Sequence, residues 1–266
     1  MKDLGKRLPT TVFLVLFAYF SIEYIPPTYF SLLLFALISV AVYEFIRLAK
    51  PHTHSPALIC FNGLLIAGAF TFPDLRLQPV FVAILILNGS YFLVSVNQPQ
   101  RLEFFVRDLG VHFLTVVYLY FPLYFLLELK KLGPNFLFFL IAVIAIGDSG
   151  AYFVGSAVGR HKIYPLASPK KSLEGLLAAV AVAALSGWLS ILVFPVPVKP
   201  VTAVWTAAII GLFSQISDPV ESLFKRAAHQ KDSGTLLPGH GGILDRVDSY
   251  IFCAPLLYYL INWFWK

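Results

Sequence analysis

The chain has 266 residues, 58% of them hydrophobic and only 13% charged, with a formal net charge of +6. Soluble globular domains carry about a quarter charged residues, so this composition excludes that class and reads as an integral membrane protein. The positive charge is scattered over short connections between apolar runs, which fits a partner in the lipid bilayer and none in nucleic acid.

From the N-terminus, nine apolar stretches follow one another at residues 10–24, 28–48, 54–72, 78–95, 108–129, 134–158, 172–195, 201–225 and 246–265. Most are long enough to cross a hydrocarbon layer about 30 Å thick at about 1.5 Å per helical residue. The first is short and could lie tilted or re-entrant. Lys2, Lys6 and Arg7 precede it, but no small-residue cleavage site follows, so it reads as a retained span rather than a signal peptide. Pro26-Pro27, Pro51, Pro73, Gly133-Pro134 and the run from Pro195 to Pro200 punctuate the connections. Cys60 and Cys253 sit in apolar runs without metal-ligand spacing and read as ordinary membrane residues.

With nine spans, all of the 20 Lys and Arg except Arg76, Lys130, Lys131, Lys199 and Lys266 fall on the side of the N-terminus. The positive-inside bias makes that side cytoplasmic. The expected fold is therefore all-α and polytopic, with the N-terminus in, the C-terminus out, and both polar motif loops facing the cytoplasm. No internal repeat of the kind found in many transporters is visible. Residues 1–130 are expected to form a scaffold of transmembrane helices available for dimer or lipid contacts. Residues 131–266 hold nearly all the unusual polar groups and are expected to carry the chemistry.

Two of those groups are acids that fail to reach an interface. Asp148 sits in mid-span within "IAVIAIGDSGAYFVGSAVGR", and Asp218 lies about two turns inside the eighth span within "SQISDPVESLFKR". An acid near the centre of a membrane helix costs roughly 2.5–3.5 kcal/mol on insertion scales, so each needs a compensating function or partner. Pro219 frees a backbone carbonyl one turn earlier. Ser214, Asp218, Ser222 and Lys225 follow at i, i+4, i+8 and i+11, a single stripe leading from the acid to a basic loop. In the sixth span Gly147, Ala151, Gly155 and Gly159 recur every four residues, which predicts close approach of another helix.

Two loops complete the polar set. In "SPKKSLEG", Ser168 and Pro169 read as an N-cap and first helical residue, putting Lys170 and Lys171 in a first turn where the helix dipole disfavours cations. A bound anion would remove the conflict. In "KDSGTLLPGHGGILDRVD", residues 231–248, Gly241 and Gly242 offer unobstructed amides for an anion nest ringed by Lys225, Arg226, Lys231 and Arg246. Asp245 and Asp248, three apart at a helix start, present carboxylates on one face. With Asp218 they would make an oxygen-rich set suited to a hard cation such as Mg²⁺ bridging carboxylate and polyphosphate. Asp148 is a further candidate for that shell. His240 lacks a second His or Cys at ligand spacing, which argues against zinc; it could donate to a phosphate or order the loop.

The stretch "SLFKRAAHQKDSGTLLPGHGGILDRVD", residues 222–248, resembles the signature of the phosphatidate cytidylyltransferases. The motif positions are Ser222, Lys225, Arg226, Lys231, Asp232, Gly234, Pro238, His240, Gly241, Gly242, Asp245, Arg246 and Asp248. "GDSGAYFVGSAVGRHK" and "SPKKSLEG" are similar to further family elements, so the likeness covers residues 145–250 or so, while the first 130 match only as hydrophobic spans. It implies that CTP and phosphatidate react to CDP-diacylglycerol and pyrophosphate with Mg²⁺, a second metal ion being compatible, in a dimeric polytopic protein of the cytoplasmic membrane. On this reading Asp218, Asp245 and Asp248 serve the metal. Lys225, Arg226, Lys231 and Arg246 hold phosphates with the amides of Gly241 and Gly242. Ser168, Lys170 and Lys171 serve the lipid phosphate or the nucleotide, and Ser222, Asp232 and His240 complete the substrate site.

Three other classes compete. "GDSG" with His112 could mark an intramembrane serine protease using Ser149, but would leave residues 225–248 without a role. A transporter would place its polar groups along a midplane path rather than toward one face. A CTP-dependent polyprenol or lipid kinase would share the nucleotide logic but release CDP.

Overall fold

Several helices begin on a proline because the first helical turn is where a missing N–H is harmless and a fixed φ is already right. Pro27, Pro56, Pro134 and Pro200 each open one. The computed structural model describes residues 4–72, 74–237 and 241–265, and so not Pro73 or the segment 238–240.

The long helices are α1 (Leu4–Glu23), α2 (Pro27–Ala49), α3 (Pro56–Thr71), α4 (Leu77–Ser95), α5 (Phe105–Leu132), α6 (Pro134–Val158), α7 (Leu173–Val193), α8 (Pro200–Ala227) and α9 (Leu244–Phe264). Each coincides with one expected apolar stretch, and no strand occurs among the described residues. Six of them, α2 and α4 to α8, are long and apolar enough to cross a membrane. Helix α3 spans only 16 residues, and α9 starts with Asp245, Arg246 and Asp248 in its first five positions. Large apolar side chains point outward, Leu93 at 83% exposure and Val193 at 68% among them. In water such a surface would be unstable; against acyl chains it is the expected one.

The chain divides into two compact units: Met1–Leu127 with Ser233–Leu244, and Glu128–Asp232 with Asp245–Lys266. The first unit thus includes a loop, Ser233–Leu244, from the C-terminal half of the chain.

Within the first unit, α2, α3 and the first part of α5 share a core of buried aromatics. Gly63 leaves the space that the Tyr120 ring fills, and the Tyr120 hydroxyl meets Ser39 Oγ at 3.0 Å. The backbone of α5 widens into a π-helical turn at Thr115–Tyr120, just before Pro122. Asp108, fully buried, accepts hydrogen bonds from the backbone N–H of His52 at 3.0 Å and Thr53 at 2.6 Å, and so holds the turn between α2 and α3.

Within the second unit, α6, α7 and α8 approach closely along small residues. A Cβ added at Gly147 would lie 3.3 Å from Ala183 Cβ, and one at Gly155 would lie 3.5 Å from Gly175 Cα. The four-residue glycine repeat of α6 therefore faces α7, as its spacing predicts. Helix α9 docks on α8 through Trp265 Nε1, which donates to Thr206 Oγ1 at 3.1 Å, and through Cys253, buried beside the Ile210 carbonyl. Cys60 and Cys253 are both free thiols.

Candidate active site

Proline 219 sets the local geometry of the second unit's polar centre. Its missing N–H leaves the Gln215 carbonyl without a helical donor. Lys171 Nζ fills the gap, donating to that oxygen at 3.4 Å while lying 3.0 Å from Asp218 Oδ2. Ser222 Oγ donates to the other Asp218 oxygen at 3.3 Å. The Gln215 side chain then turns to Asp148, with Nε2 donating to Oδ1 at 2.6 Å, and Ser214 Oγ adds a longer contact of 3.4 Å. Asp148, Lys170, Lys171, Gln215 and Asp218 line one cavity of about 730 Å³, within the size range of ligand sites.

Asp218 also belongs to a carboxylate cluster. Asp218, Glu221 and Asp248 each offer an oxygen, all within 4.8 Å of one another. The Ser217 hydroxyl donates to the Asp248 backbone carbonyl and ties the first turn of α9 to α8. Glu221 is fully buried, and neither of its oxygens accepts an aligned hydrogen bond; Lys225 Nζ lies 2.6 Å away as an ion-pair partner. Three carboxylates this close repel one another unless a cation or proton joins them. All-oxygen donors of this kind fit a hard divalent ion.

This trio differs from the expected one at one position. Asp245, assigned by sequence beside Asp218 and Asp248, reaches Lys225 instead, with Nζ 2.7 Å from Oδ1. Glu221 stands where Asp245 was expected because it lies one turn from Asp218 on the buried face of α8, whereas Asp245 leads the turn that faces Lys225. The signal was present in "DPVE", an i, i+3 acid pair, but so near the helix end Glu221 reads as a surface partner of Lys225 at i+4.

The "SPKKS" segment differs from the geometry its sequence predicts. The N-cap of α7 is Ser172, whose Oγ accepts from Gly175 N–H at 3.2 Å. Ser168 instead closes a turn, its carbonyl accepting from Lys171 N–H at 3.1 Å. Lys170 and Lys171 thus precede the helix, and the dipole conflict inferred from sequence does not arise. Pairing of 161–163 with 171–173 keeps Lys171 extended; Ile163 N–H donates to the Lys171 carbonyl at 3.3 Å and Leu173 N–H to that of His161 at 2.8 Å. Glu174 closes the pair, accepting from His161 Nδ1 at 2.6 Å. What brings Lys171 to Asp218 is this paired segment rather than a helix terminus.

Of the other expected residues, Lys225 is buried between Glu221 and Asp245, while Arg226 is exposed and donates to the Gln230 carbonyl at 3.0 Å. Lys231, Asp232 and Arg246 are exposed. Gly241, at φ +80°, and Gly242 belong to the first unit, and His240 lies outside the described residues. The protease pair is engaged elsewhere: Ser149 Oγ donates to the Ala145 carbonyl of its own helix, and His112 Nδ1 meets Asn88 Oδ1 at 2.9 Å.

A sequence-family model described as the cytidylyltransferase family matches residues 5–264. The chain is 32% identical to the phosphatidate cytidylyltransferase of Bacillus subtilis strain 168, over 99% of its own length and all of that protein's. It is 33% identical to the protein of that name from Staphylococcus saprophyticus over 77% of this chain and 79% of the other. With the Staphylococcus epidermidis protein (strain RP62A), identity is 34% over 65% of this chain and 66% of the other.

Proposed function

Because the chain belongs to the cytidylyltransferase family, we infer that it transfers CMP from CTP to phosphatidate, giving CDP-diacylglycerol and pyrophosphate in phospholipid biosynthesis. The observation that carries this reading is the end-to-end similarity to a protein named for the reaction. The cavity where a lysine meets two intramembrane acids supports it.

The chemistry asks little of a base. A phosphate monoester is already anionic near neutral pH, so a phosphatidate oxygen attacks the α-phosphorus of CTP directly. One P–O bond forms there, the bond to the β-phosphate bridging oxygen breaks, and its electron pair leaves with pyrophosphate. The obstacle is repulsion between two anions, and its remedy is positioning with fixed positive charge. Lys171, oriented by Asp218 and the Gln215 carbonyl, presents its ammonium in the cavity, and Lys170 lines the same space. Asp148 fixes Gln215 and so keeps that carbonyl in place. Lys225, held by Glu221 and Asp245, together with Arg226, Lys231 and Arg246, neutralises triphosphate and leaving-group charge. Asp218, Glu221 and Asp248 would hold Mg²⁺, which when bound supplies further positive charge to the polyphosphate.

The nine-span topology with N-terminus and active site on the cytoplasmic side of the inner membrane belongs to this proposal, as does a homodimer. Its support is the helix found at each apolar stretch and the bias of Lys and Arg to one side.

The deciding experiment incubates purified protein in detergent with labelled CTP, phosphatidate and Mg²⁺. Pyrophosphate and a CMP-bearing lipid appearing in equal amounts are expected. Release of CDP with a newly phosphorylated lipid would overturn the reading in favour of a kinase.

A further inference from the structure

Glu44 is an acid on α2, in the half of the chain where sequence reading found only hydrophobic spans. It is 4% exposed. Its carboxylate is surrounded by donors from one loop: Ser233 Oγ at 3.1 Å and Leu244 N–H at 2.9 Å donate to Oε2, and Ile243 N–H donates to Oε1 at 3.1 Å. No Lys or Arg among the described residues pairs with it. Two of the loop's glycines, Gly234 and Gly242, lie against this carboxylate. A Cβ at Gly234 would lie 2.5 Å from Oε1, and one at Gly242 would collide with both carboxylate oxygens and Ser233 Oγ.

The loop is the "DSGTLLPGHGG" segment whose amides the sequence reserves for substrate phosphate. The two amides that follow it, those of Ile243 and Leu244, hold an anion that is the protein's own. A buried acid without a counter-ion persists only when several donors replace its water, and the N-terminal amides of a helix are suited to that because they lack intrahelical acceptors. Leu244 is the first residue of α9, so the bond to its N–H fixes the start of the helix that carries Asp245 and Asp248 one and four residues further on.

We propose that Glu44 is a positioning residue for the reaction: it anchors the glycine loop at both ends, through Ser233 and through Ile243 and Leu244, the residue that opens α9. The proposal rests on the cytidylyl-transfer reading for its consequence in turnover, though the anchoring itself does not. Glu44 touches no reacting atom. Its removal acts through the loop, unlike loss of a general stabilising contact, which would loosen the whole fold.

The test compares full-length wild type with Glu44→Gln, which keeps the shape but turns an NH₂ toward the loop donors, and Glu44→Ala. Hydrogen exchange is followed by mass spectrometry alongside turnover and the Mg²⁺ concentration for half-maximal rate. For Glu44→Gln, amide exchange across 233–244 should quicken at least tenfold while α6 and α7 keep wild-type protection. The rate constant kcat should fall at least tenfold and the Mg²⁺ requirement rise. Wild-type exchange in that segment, or faster exchange with unchanged kcat and Mg²⁺ response, would overturn the proposal. So would uniformly faster exchange in all helices, the mark of plain destabilisation. If Glu44→Ala cannot be purified, Gly242→Ala, which drives a Cβ into the same carboxylate, should reproduce the local loosening, and its failure to do so counts against the anchor. Absence of CDP-diacylglycerol formation by the wild type would sink the functional reading alone, because the exchange data still decide whether Glu44 holds the loop.

Discussion

Lys171 Nζ gives the Gln215 carbonyl oxygen, at 3.4 Å, the hydrogen bond that Pro219 withholds. A helix-breaking residue inside α8 thereby becomes the docking point for a lysine from another segment, and the same ammonium lies 3.0 Å from Asp218. Replacing Pro219 with Ala restores the helical N–H as a competitor and relieves an interior proline worth about 3 kcal/mol in helix propensity. The thermal midpoint of Pro219→Ala should equal or exceed that of wild type while turnover drops on the order of tenfold, the effect expected of a displaced charge. Full turnover in this variant would show that Lys171 does not need the freed carbonyl.

Removing a carboxylate from the cluster should weaken metal dependence more than folding. Asp218→Asn and Asp248→Asn are expected to lower kcat on the order of a thousandfold. Mg²⁺ at a hundred times its Kd should stabilise wild type by about 2.7 kcal/mol, and each variant should lose most of that shift. Chelation with EDTA should abolish wild-type turnover and added Mg²⁺ restore it. A variant that keeps both activity and the Mg²⁺-induced shift would remove its residue from the ligand set.

Lys225 is the counter-ion of two acids at once, 2.6 Å from Glu221 and 2.7 Å from Asp245, with 8% of its side chain exposed. Lys225→Met strands them, and breaking a buried pair costs on the order of 3–5 kcal/mol. Adding Glu221→Gln to Lys225→Met should recover a large part of the lost thermal stability but none of the turnover, because the charge proposed to serve the triphosphate stays absent and a proposed metal ligand is lost with it. Recovery of turnover in the double variant would relegate Lys225 to a structural role.

Close approach of helices makes three glycine substitutions distinguishable. At Gly211 a Cβ would lie 2.5 Å from Ala183 Cβ and 3.2 Å from the Ala179 carbonyl oxygen, so Gly211→Ala should cost about 1–3 kcal/mol. At Gly155 the nearest atom would be 3.4 Å away, an ordinary contact, and Gly155→Ala should fold normally. Gly89 has open space around it, and Gly89→Ala should gain up to about 1 kcal/mol of helix propensity. Thermal midpoints in detergent decide all three, and a neutral Gly211→Ala would contradict the α7–α8 approach.

Ser149→Ala should leave turnover unchanged and the wild type should resist fluorophosphonate labelling, since the hydroxyl is committed to the Ala145 carbonyl at 2.8 Å. Labelling at Ser149 would reopen the protease reading.

The helices were legible because membrane insertion imposes a one-dimensional rule: a long apolar run must satisfy its own backbone, and prolines mark where each run starts. The same cost of burying charge singled out Asp148 and Asp218, and the density of fixed residues between 222 and 248 carried the family. Spacing also foretold that the glycine face of α6 would meet another helix. Partner choice among charged groups was different, because it depends on which side chains meet across separate helices. Sequence distance could not show that Asp245 would go to Lys225 and leave Glu221 beside Asp218 and Asp248, nor that strand-like pairing rather than a helix cap would deliver Lys171. Glu44 lies almost two hundred residues before the amides it binds, a separation no local pattern bridges. A buried carboxylate takes whatever donors the fold brings within hydrogen-bonding reach, and that was decided only when the chain closed on itself.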